Sequence, residues 1–270
     1  GVVLKWVEPE PNGQFDYTKL LNKITSRTKL IAITQMSNVL GSVVDVKAIC
    51  DSVKKSGIAV LVDGSQSAVH MPVNVQDIGC DFFVITGHKL YGPSGSGALY
   101  IRQDRMEEMQ PFMGGGDMIR EVSREFVSYN DSPHKFEAGT PSIVEAIGFG
   151  VALEYLMKIG MADIQKHESK LKVYAEKEFE NLDWLETQGN APDKGAIFSF
   201  TMQGAAHAHD ISTIVDRRGI AVRAGHHCAQ PLMEHLGLNA TCRASFGMYN
   251  STEEIDQLTS SLEFAYELLG

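Results

Sequence analysis

The 270 residues carry 24 lysines and arginines against 34 aspartates and glutamates, a formal net charge of −10, and 43% of them are hydrophobic. That balance describes a globular chain and argues against a nucleic-acid or anionic-membrane surface as its main role. No run approaches the roughly 20 apolar residues of a membrane span, and the four cysteines (Cys50, Cys80, Cys228, Cys242) form no CxxC pair, which points to reduced thiols in a cytoplasmic setting.

In chain order, Gly1–Val7 alternates like a strand and is neither a signal peptide nor an initiator-Met start, so the chain reads as one entered in mid-protein. Asp16–Ile24 has helical spacing, with Leu20, Leu21 and Ile24 on one face. Lys29–Thr34 reads as a strand, then Asp45 caps a helix running to Lys55 and closed by Gly57. Ile58–Val62 is a second core strand, Gln76–Gly79 a short connector, and Asp81–Ile85 a third strand. After the glycine-rich loop Leu90–Gly97, the run Gly97–Ile101 forms a further, antiparallel strand. Met106–Pro141 reads as irregular, and its length points to a binding or interface role. Helices are expected over Ser142–Ile159 and Asp163–Leu182. They are followed by a strand (Ala196–Met202), a helix (His207–Arg218), a short strand (Ile220–Arg223), a helix (Pro231–Leu236), a strand (Thr241–Phe246) and a final helix (Thr252–Leu269).

Strands alternating with helices predict an α/β fold: a mostly parallel sheet with helices on both faces, then a smaller α+β unit. The expected division is residues 1–150 and 151–270. Ligands of such sheets bind beyond the carboxyl ends of the strands, and Asn38, Asp63 and Lys89 all fall there.

Each of these residues also has an ordinary explanation. Asp63 before Gly64 suits a turn, and Lys89 suits a strand end at the surface. Together they match the two requirements of a pyridoxal phosphate site. One is a lysine that forms a Schiff base, and the other is an acid that keeps the pyridine nitrogen protonated. In Arg223–Pro231 an arginine and two histidines surround Cys228. This is either a nucleophile with a lowered pKa or an inert buried thiol. A metal site from His226, His227, Cys228 and Cys242 does not match common zinc spacings. Arg243 opens a strand as a carboxylate clamp or as one half of a surface ion pair. Gly92–Gly97 is not a dinucleotide fingerprint, and no P-loop or nucleophile elbow is present.

The segments 62–67, 86–93, 136–141, 223–229 and 242–245 closely resemble the SufS-type cysteine desulfurases, class V pyridoxal phosphate enzymes of fold type I. The likeness runs in order over essentially the whole chain. It implies a homodimer that converts L-cysteine to L-alanine, with L-selenocysteine or cysteine sulfinate as alternative substrates. A SufE- or SufU-like sulfur acceptor and a SufBCD-type scaffold for iron–sulfur assembly are the implied partners. By the same resemblance Lys89 is the Schiff-base lysine, Asp63 pairs with the ring nitrogen and Gln66 with the ring hydroxyl. Thr86 and His88 bind the phosphate, and Thr140 is lent to the other subunit's phosphate. Asn38, Arg223 and Arg243 face the substrate, and Cys228 accepts sulfur. The short loop from Arg223 to Cys228 matches the SufS group rather than the group with a long mobile loop. The family also has an earlier segment with a glycine/threonine phosphate loop and a histidine stacked on the cofactor ring. Neither is found in this sequence, so the chain alone is expected to bind the cofactor weakly or not at all, or to act as an inactive binding module.

Overall fold

The computed structural model describes residues 1–204 and 207–269. Its first layer is built from α1 (Tyr17–Lys23), β1 (Leu30–Thr34), α2 (Val46–Val53), β2 (Ala59–Asp63), α3 (Ser67–His70), α4 (Val75–Ile78), β3 (Phe82–Thr86) and β4 (Gly97–Ile101). Asp16 and Asp45 cap α1 and α2 by accepting from the Thr18 and Ala48 backbone N–H groups, as short acceptor side chains do at helix starts. The strands lie in the order β1-β2-β3-β4. β1, β2 and β3 run parallel and β4 turns back antiparallel. Ile31, Val60, Val62 and Phe83 fill the core with Leu20, Ile49 and Val53 from the flanking helices, the near-continuous apolar pattern that a covered parallel sheet requires.

Next come α5 (Gln103–Glu108), the hairpin β5 (Ile119–Val122) and β6 (Val127–Tyr129), α6 (Ile143–Ile159) and α7 (Met161–Glu180). The second sheet contains β7 (Leu185–Gln188), β8 (Ile197–Met202), β9 (Arg223–Gly225) and β10 (Thr241–Ser245), ordered β7-β8-β10-β9 and antiparallel throughout. The helices α8 (Ala208–Asp216), α9 (Gln230–Leu236) and α10 (Thr252–Leu269) complete this unit. Phe179, Phe198, Phe200, Ile211, Val215 and Leu262 form its core. The first sheet lies wholly before residue 150 and the second wholly after it, and α6 runs across that position.

Four expectations are corrected. Gly1–Val7 forms no strand: no strand among the described residues pairs with it, and Val2, Val3 and Leu4 are exposed. A strand needs a neighbour for its N–H and C=O groups, whatever its pattern. The stretch 106–141 is not wholly irregular, because it holds the β5–β6 hairpin. Gln76–Gly79 is mostly the one-turn helix α4, begun by the Asn74 side chain and ended by Gly79 in the left-handed region. The short strand expected at Ile220–Arg223 begins at Arg223, and β7 was not anticipated.

The segment after β1 holds the two units together. Gly195 N–H donates to the Gly41 carbonyl at 2.9 Å, and Val43 N–H donates to the Asp193 carbonyl at 2.9 Å. The buried Ser199 hydroxyl donates to the Val39 carbonyl at 2.6 Å. These bonds bring β8 and β10 of the second sheet against the residues that follow β1.

Candidate active site

The site forms where the carboxyl ends of the parallel strands meet the loop between β9 and α9. Asp63 is the last residue of β2 and is exposed, with its Oδ1 accepting from Ser65 N–H at 2.9 Å. The turn after it is set by Gly64. A Cβ there would lie 2.0 Å from the Phe83 ring, so only glycine allows the backbone to cross over that core side chain.

Lys89 sits one turn past β3, in the 3₁₀ turn Gly87–Leu90. Gly87 N–H donates to the Ser96 carbonyl at 2.8 Å, and a Cβ on Gly87 would meet the Ser96 hydroxyl at 2.0 Å. This close approach folds the loop after Lys89 back on the strand end, and the Lys89 side chain is half-buried there. Burial pulls the Lys89 ammonium below the ordinary lysine range. Asp63 opposes that effect, Arg243 adds to it, Cys228 opposes it and Arg223 adds to it. The fields of four residues predicted for the site therefore converge on this amine.

Asn38 joins the two units at the same edge. Its Nδ2 donates to the His227 carbonyl at 2.8 Å, and its own carbonyl accepts from Arg243 Nη1 at 2.7 Å. Arg243 is half-buried, and its Nε is buried with no hydrogen-bond partner. Burial and the nearby Arg223 lower its pKa. Among the described residues neither Arg223 nor Arg243 has an acidic partner. Two guanidiniums at one edge without a carboxylate form a ready anion site.

The cysteine loop is organised differently from its sequence pattern. Cys228 is exposed, and Arg223 Nη2 donates to its Sγ at 3.4 Å. A permanent cation thus lies where negative charge on that sulfur would form. His226 is exposed, whereas His227 is buried, with Nε2 2.8 Å from the Thr241 hydroxyl and 3.1 Å from its carbonyl. Burial, reinforced by Arg243 and Arg223, pushes the His227 pKa down to about 4. This imidazole is neutral near pH 7 and pins the loop. It supplies no positive charge to the thiol. His227 and Cys228 both have left-handed backbones, φ 55° and 60°, each costing about 1 kcal/mol for a residue with a side chain. Cys242 is buried and its thiol donates to the Ala208 carbonyl at 3.0 Å, apart from Cys228.

The buried state of His227 carries a pH signature. Its folded pKa lies below the ordinary value near 6.5, so the unfolded chain takes up the proton first. The associated stability is complete above about pH 6.5 and is lost as pH falls through about 4. Urea denaturation should show a loss on the order of 2 kcal/mol between pH 7 and pH 5. His227→Asn should flatten that slope, and an unchanged slope in the variant would assign the acid sensitivity elsewhere.

The remaining predicted residues fall into two groups. Thr86 Oγ1 and His88 Nδ1 pair at 3.0 Å beside Lys89. Gln66 follows Asp63 in the turn before α3, and its Nε2 lies 2.7 Å from His70 Nε2. Thr140 is exposed ahead of α6 and makes no side-chain hydrogen bond among the described residues. Sequence reasoning missed His70 and Glu168. The spacing of Gln66 and His70, one helical turn, was the available signal.

The residues fit pyridoxal phosphate. A half-buried amine without a hydrogen-bond partner among the described residues lies one strand over from an exposed carboxylate. A hydroxyl and an imidazole stand beside it, and two guanidiniums with no acidic partner among the described residues complete the edge. An α/β sheet with an amine and an acid on adjacent strand ends, closed by a small antiparallel unit, defines the class of fold. The chain belongs to the class V aminotransferase family, whose model matches residues 1–258. It is 46% identical over 260 residues to a probable cysteine desulfurase of Xylella fastidiosa, covering 96% of this chain and 62% of the relative. A cysteine desulfurase of Pectobacterium atrosepticum is 46% identical over 271 residues, covering 100% of this chain and 66% of the relative. The crystal structure of the cysteine desulfurase CsdA from Escherichia coli superposes with a TM-score of 0.93 at 36% identity, covering 98% of this chain and 65% of that one. The apo cysteine desulfurase of Thermococcus onnurineus NA1 gives 0.91 at 36% identity, covering 98% and 66%. The chain thus spans just under two thirds of the length of these relatives.

Proposed function

We propose that the protein is a pyridoxal phosphate-dependent cysteine desulfurase that converts L-cysteine to L-alanine and captures the sulfur on Cys228. The observation that carries this reading is the placement of Asp63 and Lys89 at and just past neighbouring strand ends, with the Cys228 loop and Arg243 tied to the same edge through Asn38. The cysteine desulfurases among its relatives support it.

When bound, pyridoxal phosphate supplies an aldehyde for the substrate amine and a ring that withdraws electrons from the α-carbon. Lys89 would be the residue that holds the cofactor, and its free amine would move the substrate α proton, a role suited to a lysine whose pKa burial has lowered. Asp63 would keep the ring nitrogen protonated, Gln66 would bond the ring hydroxyl, and Thr86 and His88 would hold the phosphate. Arg243 receives the substrate carboxylate with its unpaired N–H groups, and Arg223 steadies the sulfur of Cys228. That sulfur attacks the substrate sulfur and forms a sulfur–sulfur bond. The Cβ–S bond breaks with its electron pair on carbon, which gains a proton and leaves as alanine.

The proposal extends to a homodimer, in which the exposed Thr140 would be lent to the second copy. The exposed apolar side chains of α6, among them Val144, Ile147 and Val151, also favour such an interface. A SufS-like role in cytoplasmic iron–sulfur assembly, with a SufE- or SufU-like acceptor, completes the reading.

The test is turnover of L-cysteine by the whole protein with alanine and persulfide measured together. Arg243→Lys keeps the charge and loses the planar fork, so KM for L-cysteine should rise roughly 10- to 100-fold with a smaller change in kcat. An unaltered KM would remove Arg243 from carboxylate binding, and absence of alanine would reject the desulfurase reading.

A further inference from the structure

Gln66 is the visible end of a buried chain of polar groups. Its Nε2 lies 2.7 Å from His70 Nε2, and His70 Nδ1 lies 2.7 Å from Glu168 Oε2. The His70 and Glu168 side chains are 8% and 4% exposed. Gln66 and His70 lie one turn apart at the start and end of α3, on one face. Glu168 comes from α7, on the far side of the α3–α7 contact.

The amide of Gln66 turns its nitrogen to His70, and the proton on the ring follows from that arrangement. An amide nitrogen only donates, so His70 Nε2 accepts with its lone pair. In that arrangement the ring proton is on Nδ1, which donates to Glu168 Oε2 at 2.7 Å. With the tautomer fixed in this way, the amide of Gln66 can turn only its nitrogen towards His70. Turning the oxygen there would set two lone pairs against each other. The other Glu168 oxygen, Oε1, is buried without a partner. Burying a carboxylate with one oxygen unpaired is costly, as is any buried charge that is only partly paired.

We infer that Glu168 and His70 are positioning residues. Through the tautomer of His70, Glu168 fixes which edge of the Gln66 amide is offered to the ring hydroxyl of the bound cofactor. The inference rests on the pyridoxal phosphate reading of Gln66. It adds that α7, an element away from the strand ends, sets the hydrogen-bond pattern of the cofactor site. In Glu168→Leu, His70 loses the acceptor for its Nδ1 proton and relaxes to the Nε2–H form, and the Gln66 amide turns over. In Glu168→Gln the side-chain carbonyl still accepts from Nδ1, and the arrangement persists.

Nitrogen NMR of histidine-labelled whole protein reads the tautomer directly. The expected result is Nδ1–H on His70, retained in Glu168→Gln and moved to Nε2–H in Glu168→Leu. The cofactor-loaded protein should then show an altered visible absorbance and up to about tenfold weaker cofactor affinity in Glu168→Leu, with Glu168→Gln close to normal. In a Gln66→Ala background, Glu168→Leu should cause no additional change. A purely structural bolt between α3 and α7 would instead lower the unfolding midpoint, leave the absorbance in place and add to Gln66→Ala. An Nε2–H tautomer in the unaltered protein overturns the inference without requiring any variant to fold. If Gln66→Ala leaves absorbance and affinity unchanged, the cofactor reading of Gln66 falls and the inference falls with it. If Gln66→Ala acts and Glu168→Leu does not, the inference fails alone.

Discussion

Replacing Lys89 by alanine should lower kcat for L-cysteine by roughly 10⁴-fold or more, because one side chain carries both the resting link to the cofactor and the proton transfers at the α-carbon. The geometry favours this amine over other groups nearby. Lys89 is half-buried and no acceptor among the described residues holds it, whereas the neighbouring His88 is exposed and pairs with Thr86. A lysine kept fully charged by an ion pair would be a poor base. Here burial outweighs Asp63 and leaves the pKa low. The variant should lose the visible absorbance of the lysine-linked cofactor, and exchange of the substrate α-hydrogen with solvent should stop. An added small primary amine should restore part of the exchange. Turnover within tenfold of the unaltered protein would show that another group moves the proton.

Cys228→Ser should abolish persulfide on the protein and cut transfer of sulfur to a protein acceptor by on the order of 10³-fold, about 4 kcal/mol. Serine fills nearly the same space and faces the same left-handed backbone at φ 60°, so the loop should keep its form. The Asn38–His227 bond and the His227–Thr241 contact are untouched by the change. The hydroxyl lacks the nucleophilicity towards sulfur that the thiol has, so the loss falls on one step. Solvent exchange at the α-carbon should continue at a near-normal rate, separating this variant from Lys89→Ala. Full alanine and persulfide production in Cys228→Ser would displace the assignment. Retained turnover of L-selenocysteine with loss on L-cysteine would favour the selenocysteine lyase alternative.

The parts of the fold legible in the sequence were those whose pattern and environment agree. Val60, Val62 and Phe83 are buried on both sides of a covered sheet, so their apolar runs fixed β2 and β3, and with them Asp63 and Lys89 at the ends. Asp16 and Asp45 announced two helix starts through their capping chemistry. Elements that bury little left little trace. In the β5–β6 hairpin Val122, Phe126 and Val127 are exposed, and β7 buries only Leu185. Gly1–Val7 shows the reverse failure, an alternating pattern with no neighbouring strand among the described residues.

In the site, residue types and order were readable, but long-range pairing was not. His70 and Glu168 are 98 positions apart. Nothing in the spacing of Arg223–Cys228 distinguishes a histidine turned inward to Thr241 from one facing the thiol. The sequence pattern suggested histidines around the sulfur, whereas the atom that meets it belongs to Arg223.

The anchoring of His227 has a consequence for sulfur traffic. The residue next to the thiol is held at its carbonyl by Asn38 and at its ring by Thr241, and both bonds lie within the protein body. Cys228 is therefore a fixed post at the mouth of the site rather than a swinging arm. Its sulfur can turn about its own side-chain bonds but cannot be carried outward without breaking those ties. On the proposed desulfurase reading, sulfur bound there would stay where it was received, and an acceptor would have to come to it.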